Sequence, residues 1–253
     1  MPTNPDSNPH RKKYQDLILR PEYEHLRLNF PSGHTWIRIL PGLGDSAYGW
    51  ILPILALEFP GGRFVHPASF NPNKRSVFDI AHDWLRTFHP QLLRSKTNKT
   101  GFRLKPIKVG AFWGVEYSEA GQHSLRLAVE SFHSGTSGPV GLAYEIWRKL
   151  FEKDENDHRM CDGLHPENGV MVCVERRRPR LAGPPLHWVQ VGRIPRSVDD
   201  LLEKVSPIEK EQLHPLERVI REASVEEQWD YLGRLISPEL VARIRAATRR
   251  RGK

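Results

Sequence analysis

In Trp36-Ile37-Arg38-Ile39-Leu40 the side chains alternate with a period of two, placing Ile37 and Ile39 on one face and Trp36 and Arg38 on the other. No helix satisfies that period, so the surrounding stretch from His34 to Pro67 is confined to short strands. Pro41-Gly42 and Gly44-Asp45 interrupt the first strand, Tyr48 to Leu57 starts a second, and Pro60-Gly61-Gly62 turns the chain into Arg63-Phe64-Val65. The expected arrangement is a β-meander with its aliphatic face inward. Its outward face carries indole, guanidinium and phenol groups, the side chains that stack on unpaired bases and neutralise phosphates.

The charge balance agrees with an anionic partner: 38 Lys and Arg against 30 Asp and Glu give the 253-residue chain a formal charge of +8. Nucleic acid is the first candidate, an acidic protein the second. The two cysteines, Cys161 and Cys173, read as reduced thiols in the absence of a signal-peptide pattern, which points to the cytoplasm of a bacterial or phage-infected cell. Trp50 to Phe59 is too short and too interrupted to span a bilayer, so no membrane partner is expected.

Residues 1–15, with Pro2, Pro5, Pro9 and then Arg11-Lys12-Lys13, read as a basic arm. Tyr23 to Phe30 alternates well enough to form a hairpin with the Trp36 strand. Ser76 to Phe88 spaces Val77, Ile80, Ala81, Trp84, Leu85 and Phe88 helically, and Ser76 with Asp79 forms a capping-box variant. Phe102 to Tyr117 returns to strand, with Gly110 and Gly114 marking a bulge or a close backbone approach. A strand at Leu125 to Ser131 and an amphipathic helix at Val140 to Phe151 follow. Val170 to Val174 and His187 to Ile194 complete the strands, flanking the basic turn Glu175 to Arg180. From Ser197 the pattern is helical, with a second capping box at Ser224 and Glu227 and a basic tip, Arg249 to Lys253.

Catalytic motifs are missing: there is no GxSxG, P-loop or paired-carboxylate pattern, and the Gly42 and Gly44 pair lacks the rest of a dinucleotide fingerprint. His66, His82 and His89 are the nearest approach to a metal set, without an HExxH or CxxC spacing to complete it. No catalytic residue, metal or cofactor is therefore expected. The recurring signal is aromatic and cationic residues on strand after strand: Trp36, Arg38, Tyr48, Trp50, Phe64, Arg103, Lys105, Lys108, Phe112, Trp113, Arg176, Arg177, Arg178, Arg180 and Trp188. Lys74 and Arg75 in the loop after Pro67 extend the set.

Taken in order, TWIRILPG, YGWILPILAL, RFVHP followed by a helix, KPIKVGAFWGVEY, GLAYEIWRKL, HPENG leading into VMVCVERR, and HWVQVGRI resemble the tailed-phage helix-destabilising single-stranded DNA-binding proteins over roughly residues 25–203. The resemblance implies an OB-fold barrel whose groove holds single-stranded DNA by stacking and backbone electrostatics. That family carries a zinc module with Cys-Pro where this chain has His66-Pro67. The later cysteines are also missing here, so the module is read as degenerate, its helix held by Phe78, Trp84 and Phe88. The family's better-known members end in an acidic tail, whereas this chain ends in RRRGK.

The expectation is then an α+β, mainly β protein: an OB-fold barrel with inserted helices and a C-terminal helical appendage. Its divisions are a flexible arm (1–15), a DNA-binding domain (16–203, with 66–100 inserted) and a helical segment (204–253). It would coat single-stranded DNA during replication, recombination or repair, associate with itself along the strand, and meet replication or recombination proteins through the C-terminal helices. The alternatives are a phage or mobile-element assembly protein with a basic surface, and a histidine-based metal-dependent enzyme.

Overall fold

A computed structural model of the chain describes residues 15–42, 50–60, 62–95, 98, 100–118, 121–134, 140–151, 163–177 and 186–251. The strands are β1 (Gln15–Asp16), β2 (Gly33–Ile39), β3 (Leu52–Phe59), β4 (Gly62–Val65), β5 (Ile107–Tyr117), β6 (His123–Ser131), β7 (Val170–Arg177) and β8 (Leu186–Pro195). The longer helices are α1 (Val77–Phe88) and α2 (Leu142–Leu150). Three short ones follow, α3 (Val198–Glu203), α4 (Pro207–Lys210) and α5 (Leu216–Val219), and then α6 (Val225–Leu235) and α7 (Pro238–Arg251).

The protein is α+β. Its eight strands form an antiparallel sheet in the order β1-β4-β3-β5-β2-β7-β8, with β6 also on β5 and the short β1–β4 pair parallel. The sheet is not closed, so the barrel expected from the resemblance does not form among the described residues. Nor does the meander: β3 and β4 make the hairpin read from Pro60-Gly61, but β2 pairs with β5 and β7 instead of β3. Tyr23, expected to begin a strand, lies in a 3-10 helix, Pro21–Leu26. Proline at its start has the fixed φ that suits a first helical turn, where its missing N–H would be unpaired anyway.

The chain divides into two compact units, and the boundaries differ from those expected. The larger holds the described residues of 19–54 and 108–220. In its core Ile37, Ile39, Phe112, Ala128, Val172, Val174 and Val189 from the strands meet Leu142, Ala143, Ile146 and Leu150 from α2. The alternating valines of β7 are inward, as their period predicts. Gly114 lies where β5 crosses Ile37 closely; a Cβ there would run into the Ile37 side chain, which accounts for the glycine.

The smaller unit holds the described residues of 15–18, 55–107 and 221–251. Here Leu57, Phe59 and Phe64 pack with Phe78, Ala81 and Leu85 of α1 and with Trp229, Tyr231 and Leu232 of α6. Phe59 and Tyr231 stack at 4.6 Å with their planes 8° apart. Both capping boxes form, Ser76 with Asp79 and Ser224 with Glu227. Among the described residues no helix is long and apolar enough to cross a membrane.

Candidate nucleic-acid interface

The outer face of the larger unit's sheet, opposite the α2 core, brings aromatic side chains into register. Trp36 on β2 is directly opposite Tyr117 on β5, which is directly opposite His123 on β6. Period-two alternation forces this: Ile37 points into the core, so Trp36 points out, and Tyr117 shares its face. Trp36 and Tyr117 are exposed, and the Tyr117 and His123 rings lie 5.2 Å apart, edge to face. At a strand spacing of about 4.8 Å the three rings form a row about 10 Å long. On β7 the residue opposite Trp36 is Cys173. Burial pushes its thiol up, and the Glu175 charge adds to the shift.

A second row begins two residues earlier on β2, where His34 faces Glu175 and Glu175 faces Trp188 on β8. Trp188 is exposed, and Arg177 lies over its ring at 4.9 Å while bonding Glu175 at 2.5 Å. Beside the first row a cleft of about 660 Å³ is bounded by Trp36, Tyr117 and His123 on the sheet, by Ile194 near the end of β8, and by Arg196 and Lys204. The cleft therefore joins stacking surfaces to two exposed cations.

No protein-family model matches this chain, and no curated protein matches it.

Trp36, Arg177 and Trp188 lie on the face just described, and Lys108, at the start of β5, is exposed. In the other unit Lys74, Arg75, Arg103 and Lys105 are exposed, but Lys74 pairs with Glu222, Arg75 with Asp83 and Arg103 with Glu58. Four expected contacts are corrected. Phe64 and Phe112 are fully buried core rings. Trp113 is buried too, its Nε1 donating to the carbonyl of His214 at 2.8 Å. Arg38 shares the outer face with Trp36 but is completely covered, because residues 163–169 and 196 lie over it. Its guanidinium donates to the carbonyls of Ile39, Gly163, His165 and Arg196 at 2.6–3.2 Å.

Trp50 is half-buried between Phe112 and Phe151, and Arg176 is half-buried and donates to the Phe30 carbonyl. Tyr48, Arg178 and Arg180 lie outside the described residues. Tyr117, His123, Arg196 and Lys204 were missed by the sequence reading. The turn at 118–122 was the available signal, since a hairpin there sets Tyr117 against His123.

The segment from His66 to Phe88 has a polar anchor. His66 Nδ1 accepts from the Ala68 N–H at 3.0 Å, and Nε2 donates to Asp79 Oδ2 at 2.8 Å. Both ring nitrogens are thereby engaged, tying the end of β4 to the start of α1. The apolar support of α1 comes from Phe78, Ala81 and Leu85; Phe88, expected to be packed, is exposed.

Proposed function

We propose that this protein binds single-stranded nucleic acid, with single-stranded DNA as its ligand, across the outer sheet face of the larger unit. The observation that carries the reading is the cross-strand register of Trp36, Tyr117 and His123. Two exposed rings, Trp36 and Tyr117, with the half-buried His123 in register beside them, are costly on a surface that serves no ligand, and successive bases are ligands such a row accepts without regard to sequence. Arg196 and Lys204 in the adjoining cleft, Arg177 over Trp188, and the formal charge of +8 supply phosphate neutralisation.

The resemblance to helix-destabilising proteins supports the same ligand. Within this reading the sheet is an opened relative of the OB barrel, with α2 inserted before β7. The role is to coat and protect unpaired DNA in replication, recombination or repair, without chemistry of its own.

Titration with fluorescent oligo-dT and with a matched duplex, at two salt concentrations, tests it. Tight binding to the single strand, quenching tryptophan and weakening steeply with salt, is the expected result. Equal, weak binding to both forms would overturn it and favour an assembly protein whose basic surface meets protein.

A further inference from the structure

The smaller unit contains a groove of about 810 Å³ between α6 and α7, remote in kind from the aromatic face. From α6 it is lined by Trp229, Asp230, Gly233 and Arg234, spaced so that they share one helical face. From α7 Arg245 and Arg249 enter at i and i+4, with Ala242 and Ala246 between and beside them. Arg245 lies over the Trp229 ring at 5.1 Å, and Arg234 over Phe59 and Tyr231 at 5.5 Å. These contacts hold the guanidinium planes on aromatic faces and leave their N–H edges for an acceptor.

Gly233 is the informative position. It stands in the last turn of α6, where alanine is still the better helix former, yet a Cβ there would meet nothing within 4 Å. Packing within the protein does not require the missing side chain. An incoming backbone does, because the absent Cβ lets it approach the helix between the arginines.

We infer that this groove docks an acidic peptide segment of a partner protein, with an apolar side chain seated over the small residues and carboxylates on Arg234, Arg245 and Arg249. Three guanidiniums against a single carboxylate, Asp230, set the charge of the occupant. Asp230 also separates peptide from nucleic acid: it repels a run of phosphates but accepts the N–H groups of a peptide. The two-helix wall with small residues at its floor is the shape that receives a helix or an extended chain.

The test is to pan the full chain against displayed short random peptides and to label the most enriched one with fluorescein. Enriched sequences should set Asp or Glu on both sides of an apolar residue. Gly233→Gln fills the opening while improving helix propensity, so it should weaken that peptide by about tenfold or more without lowering the melting temperature. Arg245→Glu should weaken the peptide likewise. Enrichment without acidic residues, wild-type affinity in both variants, or displacement of the peptide by oligo-dT would each overturn the inference. Loss of oligo-dT binding by substitutions at Trp36 and Tyr117 leaves it standing, because the two faces are read by separate ligands.

Discussion

A Cβ on Gly169 would lie 2.5 Å from Arg38 Cζ, so the turn at 165–169 closes over the guanidinium only because residue 169 has no side chain. The same turn is held by its own backbone: His165 gives one carbonyl to both Arg38 Nη2 and the Gly169 N–H. Arg38 is thus the fastener between β2 and the segment that leads into β7. A charged residue on an outward strand position has become part of the interior, its cost offset by the carbonyls that receive it.

Gly169→Ala should therefore destabilise the protein by about 2 kcal/mol, the usual penalty for forcing a methyl group into a filled site. Arg38→Ala should cost at least about 3 kcal/mol, since several buried carbonyls lose their donor together. Arg38→Lys should not rescue it, because an ammonium cannot present the guanidinium fork. Urea denaturation followed by tryptophan fluorescence measures all three. A Gly169→Ala protein with an unchanged midpoint would mean that Arg38 is not fixed by this turn.

Gln228 links two helices of the smaller unit from a buried position. Its Oε1 accepts from the Val77 N–H at the start of α1 at 3.0 Å, and its Nε2 donates to the Ala223 carbonyl at 3.0 Å. Gln228→Leu keeps much of the volume but leaves both backbone groups buried and unpaired, at about 1–3 kcal/mol each. The melting temperature should fall accordingly. A neutral substitution would show that water reaches both groups.

Acid should act on the same helix end. Burial by itself would raise the Asp79 carboxyl, but hydrogen bonds from His66 and from Ser76 N and Oγ outweigh it and hold the group at about 2, against 3.8 for a free aspartate. A carboxyl lowered on folding stabilises the folded state above the unfolded value and loses that contribution as pH falls toward the folded one. The window is from about pH 4 down to about pH 2, and the loss is about 2 kcal/mol. Asp79→Asn should remove that part of the acid sensitivity, read as stability at pH 6 against pH 3. An unchanged difference would show that other carboxylates carry it.

What the sequence made legible was local. Both capping boxes and the core faces of α2 and β7 follow from residues within a few positions of one another, and that of α1 follows in part, since Phe88 is exposed. The partners of β2 were not legible, because β5 and β7 come from distant segments and nothing in TWIRI specifies them. The site was read incompletely for the same reason. Alternation assigns a residue to a face but not what covers that face: Trp36 and Arg38 share one, and only Arg38 is roofed over. Phe112 and Trp113 point to opposite faces and both are buried, one toward α2 and the other beneath the segment containing His214.

That difference in cover separates binding from stability. Trp36→Ala and Tyr117→Ala remove exposed rings, so each should weaken oligo-dT binding by about 1–3 kcal/mol while leaving the melting temperature nearly unchanged. The double variant should lose less than the sum if both rings hold adjacent bases of one strand, since residues sharing a ligand couple. Phe112→Ala should behave in the opposite way, costing about 3–5 kcal/mol of stability through the cavity it leaves. Arg196→Ala and Lys204→Ala should each reduce the slope of log affinity against log salt, without the loss of tryptophan quenching seen for Trp36→Ala. Fluorescence titration at several salt concentrations, paired with thermal melts, reads every one of these quantities. Wild-type affinity in the Trp36→Ala, Tyr117→Ala double variant would remove this face as the binding surface, however tightly the protein held DNA elsewhere.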